Sequence, residues 1–401
     1  MTDLFWPGDH LAGELMSDSA FLAAMVTVQQ AWLDVIVDGG VAPVHARARL
    51  DDALTDGDLE AIARGADVDG NPVSGLVTLL RHRSTDPTAR WLHRGLTSQD
   101  VLDSALVLCV REVLHRIDDE LAAQVQTMGT LAETHRGTMT LARTLTQPAL
   151  PSTIGVKVSR WLCGVLDAAE PLADLRASLP VQMGGAAGTL AATTELAGSA
   201  QGAIALSDAF AASLGLVPSP PWHTTRSPVT RAGDALVTCC DAWGHIAADV
   251  ATGSRAEIGE LGEGRGGGSS TMPHKENPVR SVLIRRAALT AGPLAATLHC
   301  ASATNVDERA DGAWHAEWAT LRTLARRTVV AAAHTTELLA ELNVDPARCA
   351  ANLASAGEIL AEQRSMTELT GRSALPGYLG AADQLIDAAL ERAAKYLKGT
   401  P

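Results

Sequence analysis

The sequence predicts an all-α fold. Hydrophobic residues make up 46% of the 401 residues, alanine and leucine dominate, and only three Phe and two Tyr occur. This composition favours packed helices over strands built on aromatic residues. Apolar residues also recur every three to four positions over long stretches, which is the spacing of one helical face. The length allows more than one domain and a large buried core.

The predicted helices follow one another with short breaks. Ser17 predicts the start of the first helix, because its hydroxyl can cap the first turn. The pattern predicts later helices over residues 106–132, 156–177, 229–258, 279–298 and 318–342, with a short helical tail from residue 344. The prolines within residues 139–155 predict a break between long helices. We therefore expect an N-terminal helical domain (1–105), a central long-helix bundle (106–345) and a short C-terminal helical region (346–401).

Charge and cysteine content exclude several classes of function. The formal net charge is −14 and no Lys/Arg cluster provides a basic face, so we expect no nucleic-acid partner. None of the six cysteines forms a Cys-x-x-Cys pair, so we expect no zinc site and expect reduced thiols, as in a cytoplasm. The amino terminus shows no signal peptide, and we expect no segment able to span a bilayer.

A glycine-rich stretch within residues 262–278 carries the strongest chemical signal. Three glycines, residues 266–268, precede Ser269 and Ser270, so a hydroxyl pair follows backbone that can adopt unusual φ values. Met272 then stands beside a proline, and Lys275 and Asn277 offer a cation and an amide to an anion. An ordinary solvent loop between two helices would also be rich in glycine, but it would not need this ordered set of polar residues.

The full string resembles the signature loop of the fumarase/aspartase superfamily, Gly-Ser-Ser-x-Met-Pro-x-Lys-x-Asn-Pro, at every fixed position from Gly268 to Pro278. Residues 93–100 resemble a second motif of that superfamily, His-x-Gly-x-Thr-Ser-x-Asp. Taken alone, Thr97 or Ser98 would only cap a helix that Asp100 opens. Beside the signature loop, the resemblance implies that these residues line a site.

A third segment departs from the superfamily pattern Gly-Arg-Thr-His-x-Gln-x-Ala-x-Pro. Arg143, Thr144 and Gln147 match it, whereas Leu145 stands where the usual histidine would be. The strings at residues 221–226 and 314–318, together with Gln99, look most like the branch that cycloisomerises 3-carboxy-cis,cis-muconate. Whether His223 contacts a substrate or is structural stays open.

The resemblance implies a homotetramer in which four subunits pool their long helices and each site draws on three chains. It implies a small di- or tricarboxylate substrate, and no metal or organic cofactor. The implied catalytic residues are Ser269 and Lys275. The implied substrate-binding residues are His93, Thr97, Ser98, Gln99, Arg143, Thr144, Gln147, Ser270, Met272, Asn277 and Arg309.

The shared reaction of the superfamily moves a proton at the carbon next to a carboxylate. Ser269 would carry that proton as an alkoxide stabilised by Lys275. Leu145 favours a leaving group that is stable as an anion, because hydroxide or an amine would need protonation by an acid. The expected reaction is therefore cycloisomerisation of 3-carboxy-cis,cis-muconate in aromatic catabolism. The alternatives are a superfamily lyase acting on a substituted succinate, such as adenylosuccinate or a secondary-metabolite precursor, and a structural protein without activity.

Overall fold

The computed structural model describes residues 3–55, 57–264, 266–268, 272, 275–309 and 311–399. The described chain is predominantly helical, which confirms the all-α prediction. The α-helices are α1 (Asp18–Asp38), α2 (Asp58–Asp69), α3 (Pro72–Arg83), α4 (Thr88–Trp91), α5 (Ser98–Thr134), α6 (Ile154–Ala177), α7 (Ala191–Ala197), α8 (Ala200–Ser213), α9 (Ser227–Gly253), α10 (Val279–Ala303), α11 (Gly312–Ala340), α12 (Pro346–Ser355), α13 (Ala361–Thr370) and α14 (Ala382–Gly399).

Short strands form two small antiparallel pairs. The pairs are β1 (Met139–Thr144) with β2 (Gln147–Thr153), and β3 (Leu261–Gly262) with β4 (Asn343–Val344). The chain separates into two compact units. The first contains Met1–His115, Ala173–Asp234 and Pro293–Arg327, and the second contains Arg116–Leu172, Ala235–Gly292 and Thr328–Pro401.

In the first unit, α1 begins at the predicted cap, where the Ser17 side chain accepts a hydrogen bond from the Ala20 N–H. This helix also corrects one expectation, because it is long and apolar enough to meet the length and composition of a membrane span. Half of its most apolar window is buried in the fold, with Trp32, Val28 and Ile36 fully inaccessible. Packing in the core of the unit therefore accounts for its apolar composition.

In the second unit, α9 confirms the apolar stripe read from the sequence. Leu236, Cys239, Trp243, Ile246 and Val250 are all fully buried. The Trp243 indole N–H donates to Gln124 Oε1 at 2.7 Å, so the one polar atom of this large side chain is satisfied inside the core. The helix ends at Gly253, five residues before the predicted end at residue 258.

The break predicted over residues 139–155 is a β-hairpin, which the sequence analysis missed. Leu141 pairs with Pro151, a bulge follows, and Thr144 pairs with Gln147. Leu145 and Thr146 form the two-residue turn with φ values of 47° and 70°. Two successive residues with positive φ are typical of tight hairpin turns, but those turns usually carry Asn or Gly, so no turn signal was visible.

Candidate active site

In the first unit, α5 begins at Ser98, directly after Thr97. The Asp100 side chain holds the backbone at this start. The Asp100 carboxylate is fully buried and accepts hydrogen bonds from the N–H groups of Thr97, Gly184 and Gly185 at 2.9, 2.9 and 3.0 Å. His223 Nε2 lies 3.0 Å from the same carboxylate. Burial raises the pKa of Asp100, and these donors oppose that rise because they favour the charged form.

Gly184, whose N–H donates to Asp100, has no room for a side chain. A Cβ added at Gly184 would lie 2.6 Å from His223 Cε1 and 2.8 Å from Pro221 Cβ. His223 is itself only 3% exposed. These contacts support the structural interpretation of His223, because its ring is enclosed and lies against the Asp100 carboxylate.

Behind this segment lies a fully buried charge cluster formed by Arg226, Asp103 and Glu317. Arg226 donates to Asp103 at 2.7 and 3.0 Å and to Glu317 at 2.6, 3.0 and 3.1 Å. The Trp314 indole N–H adds a hydrogen bond to Asp103 at 2.9 Å. Burial raises the pKa of Glu317, against the opposing effect of Arg226. The cluster ties α5, the start of α9 and α11 together beneath the predicted site residues.

Gln99 belongs to this buried network. Its side chain is fully buried, and its amide nitrogen donates to the His223 carbonyl at 2.8 Å and to Asp103 at 3.2 Å. Among the residues that the structure describes, its Oε1 has no hydrogen-bond partner. Any contact of the Gln99 side chain with a substrate would therefore involve that carbonyl oxygen and a donor on the ligand.

Thr97 and Ser98 remain partly exposed at the start of α5. Arg309 Nη1 donates to Thr97 Oγ1 at 3.0 Å, so the structure brings these two predicted site residues together. A helix N-terminus beside a guanidinium is a favourable setting for a carboxylate, because both contribute N–H donors and positive charge.

His93 stands in a strained backbone conformation with φ 63°. Gln29 Nε2 lies 2.8 Å from His93 Nδ1, which leaves Nε2 of the ring to carry the proton. Burial, followed by the nearby charges of Arg81 and Arg94, lowers the pKa of His93 to about 4. His93 is therefore a neutral hydrogen-bond donor near neutral pH.

In the second unit, Arg143 lies on β1 and pairs with Glu260. Nη1 and Nη2 of Arg143 donate to the two carboxylate oxygens at 3.1 and 2.9 Å. Thr144, Leu145 and Gln147 lie at the exposed end of the hairpin, and Leu145 is 96% exposed. The hairpin thus carries Arg143, which Glu260 holds in place, and an exposed end at which Leu145 lies between polar residues.

The described part of the signature loop is closed at its base. Gly267 and Asn277 exchange backbone hydrogen bonds at 2.9 Å in both directions, and Asn277 Nδ2 adds a third to the Gly267 carbonyl at 3.2 Å. Met272 and Lys275 are exposed, and the Lys275 N–H donates to the Met272 carbonyl at 3.0 Å. Ser269 and Ser270 lie outside the described residues.

After the loop, Glu263 anchors the start of α10. Its carboxylate accepts hydrogen bonds from the N–H groups of Arg280 and Ser281 at 3.0 and 2.6 Å. A carboxylate at this end complements the helix dipole. No group of three or more His, Cys, Asp or Glu side chains in the described ranges is arranged to hold a metal ion.

A family model described as lyase matches residues 48–291. A nitrosuccinate lyase from Streptomyces davaonensis is 43% identical over 376 residues, covering 89% of this chain and 78% of that protein. A 3-carboxy-cis,cis-muconate cycloisomerase from Bradyrhizobium diazoefficiens is 36% identical over 390 residues, covering 94% of this chain and 83% of the relative. The chain belongs to the fumarase/aspartase superfamily.

The fold of this superfamily enzyme agrees with a solved relative. The crystal structure of the 3-carboxy-cis,cis-muconate lactonizing enzyme from Pseudomonas putida matches with a TM-score of 0.86 at 29% identity, covering 96% of this chain and 97% of that one. Sequence reasoning about the superfamily motifs missed Glu260, which pairs with Arg143, and Asn352, which donates to Glu260. It also missed the pairing of Glu317 with Arg226. These partners lie about 90 to 120 residues apart along the chain, so no local motif joins them.

Proposed function

We propose that this superfamily enzyme eliminates nitrite from nitrosuccinate and forms fumarate. The proton on C3, next to the C4 carboxylate, passes to Ser269. The electron pair left behind forms the C2–C3 double bond, and the C2–N bond breaks. Nitrite departs with that bonding pair, so the reaction needs no redox partner. The 43% identity to a nitrosuccinate lyase supports this substrate.

Leu145 favours a leaving group that departs as a stable anion, and the 43% identity to a nitrosuccinate lyase is the observation that favours nitrite. Leu145 stands at the exposed tip of the hairpin, at the position where the superfamily pattern has histidine. Leucine has no proton to give, so a leaving group that departs as hydroxide or as an amine anion would be served poorly. Nitrite is the conjugate base of an acid comparable in strength to a carboxylic acid and therefore leaves as a stable anion near neutral pH.

The remaining site residues supply positive charge and hydrogen-bond donors. Abstraction of the C3 proton draws a second negative charge into the C4 carboxylate, which must be met by preorganised donors. In the proposed tetramer, where each site draws on three chains, Lys275 and Asn277 of the signature loop serve that carboxylate. Arg309 and the first N–H groups of α5 serve the other carboxylate. His93 adds a neutral donor that does not compete for the substrate proton.

Cycloisomerisation of 3-carboxy-cis,cis-muconate is the second candidate. Its specific support is the TM-score of 0.86 to a lactonizing enzyme and the 36% identity to a cycloisomerase. The leaving-group argument also fits, because lactone opening expels a carboxylate. A substrate carboxylate adds to the alkene in the closing direction, and Ser269 then delivers the proton.

A substrate panel distinguishes the two reactions. Purified enzyme is incubated separately with nitrosuccinate, 3-carboxy-cis,cis-muconate and adenylosuccinate. We expect nitrite and fumarate in equal amounts from nitrosuccinate, with no amine released from adenylosuccinate. Loss of muconate absorbance without nitrite release would refute nitrosuccinate and support the second candidate. Rapid cleavage of adenylosuccinate would contradict the role assigned to Leu145.

We also propose that the chain assembles as a homotetramer. In the second unit, α10 exposes Val279, Val282 and Leu289 by 40%, 55% and 75%, at spacings that share one helical face. Burying such a face between copies removes apolar surface from water. Light scattering of the purified protein should give four times the chain mass of 41.7 kDa, and a monomer at assay concentrations would contradict the proposal.

A further inference from the structure

Only some of the N–H groups of the Arg143 guanidinium are hydrogen-bonded within the described structure. Its end-on pair of nitrogens, Nη1 and Nη2, donates to Glu260, and Nη1 also donates to the Leu141 carbonyl at 3.2 Å. Nε and the second N–H of Nη2 have no partner among the described residues. Those two N–H groups point in parallel along the side edge of the planar group, which matches the two oxygens of a carboxylate.

Glu260 is held so that it can fix this orientation. Its side chain is 4% exposed, and it accepts hydrogen bonds from Thr140 Oγ1 at 3.1 Å and from Asn352 Nδ2 at 2.7 Å. Asn352 lies on α12 and also donates to the Ile258 carbonyl at 2.8 Å. Burial favours the neutral acid, but the hydrogen bonds from Arg143 and Asn352 lower the pKa of Glu260 overall. The carboxylate is therefore ionised at neutral pH.

This arrangement removes the freedom that a surface arginine would have. Arg143 is 26% exposed, so part of its side chain reaches solvent while its far end is anchored. A guanidinium held at one edge loses less conformational entropy when its other edge binds a ligand. The α12 helix of the C-terminal region thereby acts on a residue of the central hairpin.

We propose that Glu260 and Asn352 are positioning residues that orient the Nε/Nη2 edge of Arg143 to clamp one carboxylate of the dicarboxylate substrate. The proposal deepens the proposed function and rests on its dicarboxylate substrate class. Arg143 touches the ligand. Glu260 acts through Arg143, and Asn352 acts through Glu260. Their effect should therefore concern the recognition of one carboxylate and leave the rest of the ligand alone.

The test compares fumarate with crotonate, which has a methyl group in place of one carboxylate. Binding of each is measured by calorimetry, so no turnover is required. In the wild type, fumarate binds more tightly. In E260Q, which keeps the size of the side chain, we expect the advantage of fumarate over crotonate to shrink by about tenfold, or ~1.4 kcal/mol. N352A should shrink it in the same direction by less.

Two further variants separate positioning from general stability. R348A removes contacts from α12 to the carbonyls of residues 256, 257 and 258 without touching the Glu260 carboxylate, and should leave the fumarate advantage unchanged. R143K keeps the positive charge but loses the paired, coplanar N–H donors of the guanidinium. In that background E260Q should have no further effect, because both changes remove one interaction.

The outcomes are distinct from those of the substrate panel. Equal weakening of fumarate and crotonate in E260Q, additive effects of E260Q and R143K, or an equal loss in R348A would each overturn the inference. Failure of fumarate to bind the wild type would overturn it as well. A further outcome is that fumarate binds and E260Q reduces its preference over crotonate, while nitrite is never released from nitrosuccinate. In that case nitrosuccinate is not the substrate, but the proposed orientation of Arg143 by Glu260 is supported.

Discussion

Replacement of Arg226 by methionine tests the buried cluster that Arg226 forms with Asp103 and Glu317. Arg226, Asp103 and Glu317 have no exposed side-chain area, so water cannot solvate a carboxylate that loses its partner. The variant R226M keeps a flexible, unbranched side chain, although a shorter one, and removes the positive charge and its donors to both acids. The cluster changes from one cation with two anions to two anions alone.

The expected magnitude follows from the burial of these acids. Removing one partner of a buried ion pair typically costs about 3 to 5 kcal/mol, because the remaining charge is left uncompensated. Glu317 already has a raised pKa and can take up a proton, so its share of the loss is limited. We expect R226M to lower the free energy of unfolding by roughly 4 kcal/mol, mostly through Asp103.

The matched variant E317Q changes the same cluster in the opposite electrostatic direction. It removes one of two negative charges, and the glutamine oxygen can still accept a hydrogen bond from Arg226. We expect a loss of less than about 1.5 kcal/mol, the size of one ordinary hydrogen bond. Urea unfolding of both variants at pH 7, followed by helical circular dichroism, measures the difference. Equal midpoints for R226M and E317Q would refute this account of the cluster.

Three further predictions concern His93, Gly184 and Leu145. Because the pKa of His93 falls from 6.5 to about 4 on folding, stability should be lost as the pH drops from 6.5 towards 4. H93N should remove this part of the pH dependence of the melting temperature. The same pH dependence in H93N and wild type would contradict the role of His93. G184A should lower the free energy of unfolding by about 1 to 3 kcal/mol, because its methyl group overpacks against His223. A lower melting temperature would show this loss, and an unchanged melting temperature would contradict the steric argument. L145H should leave nitrite release within about threefold of wild type, because nitrite needs no acid; a rise of tenfold or more would contradict the leaving-group argument.

The long helices could be predicted from the sequence because their apolar periodicity is local. The stripe along α9 is buried as predicted, and α10 begins at Val279 as predicted. The start of α5 at Ser98 agrees with the cap predicted at Thr97 or Ser98, although the apolar pattern begins only at residue 106. The ends of helices were predicted less well, since α9 ends at Gly253 and not at residue 258.

The partners of the site residues could not be predicted, because they depend on tertiary structure. The sequence around Arg143 does not indicate that Glu260 pairs with it, and the sequence around His223 does not indicate that Asp100 pairs with it. The hairpin at residues 139–153 was missed for a related reason: its turn residues, Leu145 and Thr146, are poor turn formers taken alone. Motif spacing identified the superfamily, whereas the contacts around the motif residues are non-local.

The central claim is that Ser269 carries the proton while the leaving group departs as a stable anion. The most direct measurement is nitrite release from nitrosuccinate by the wild type and by S269A, with helical circular dichroism and light scattering as controls. We predict that S269A folds and assembles as the wild type does and loses at least about a thousandfold in kcat. Retention of kcat within tenfold in a correctly assembled S269A would contradict the account.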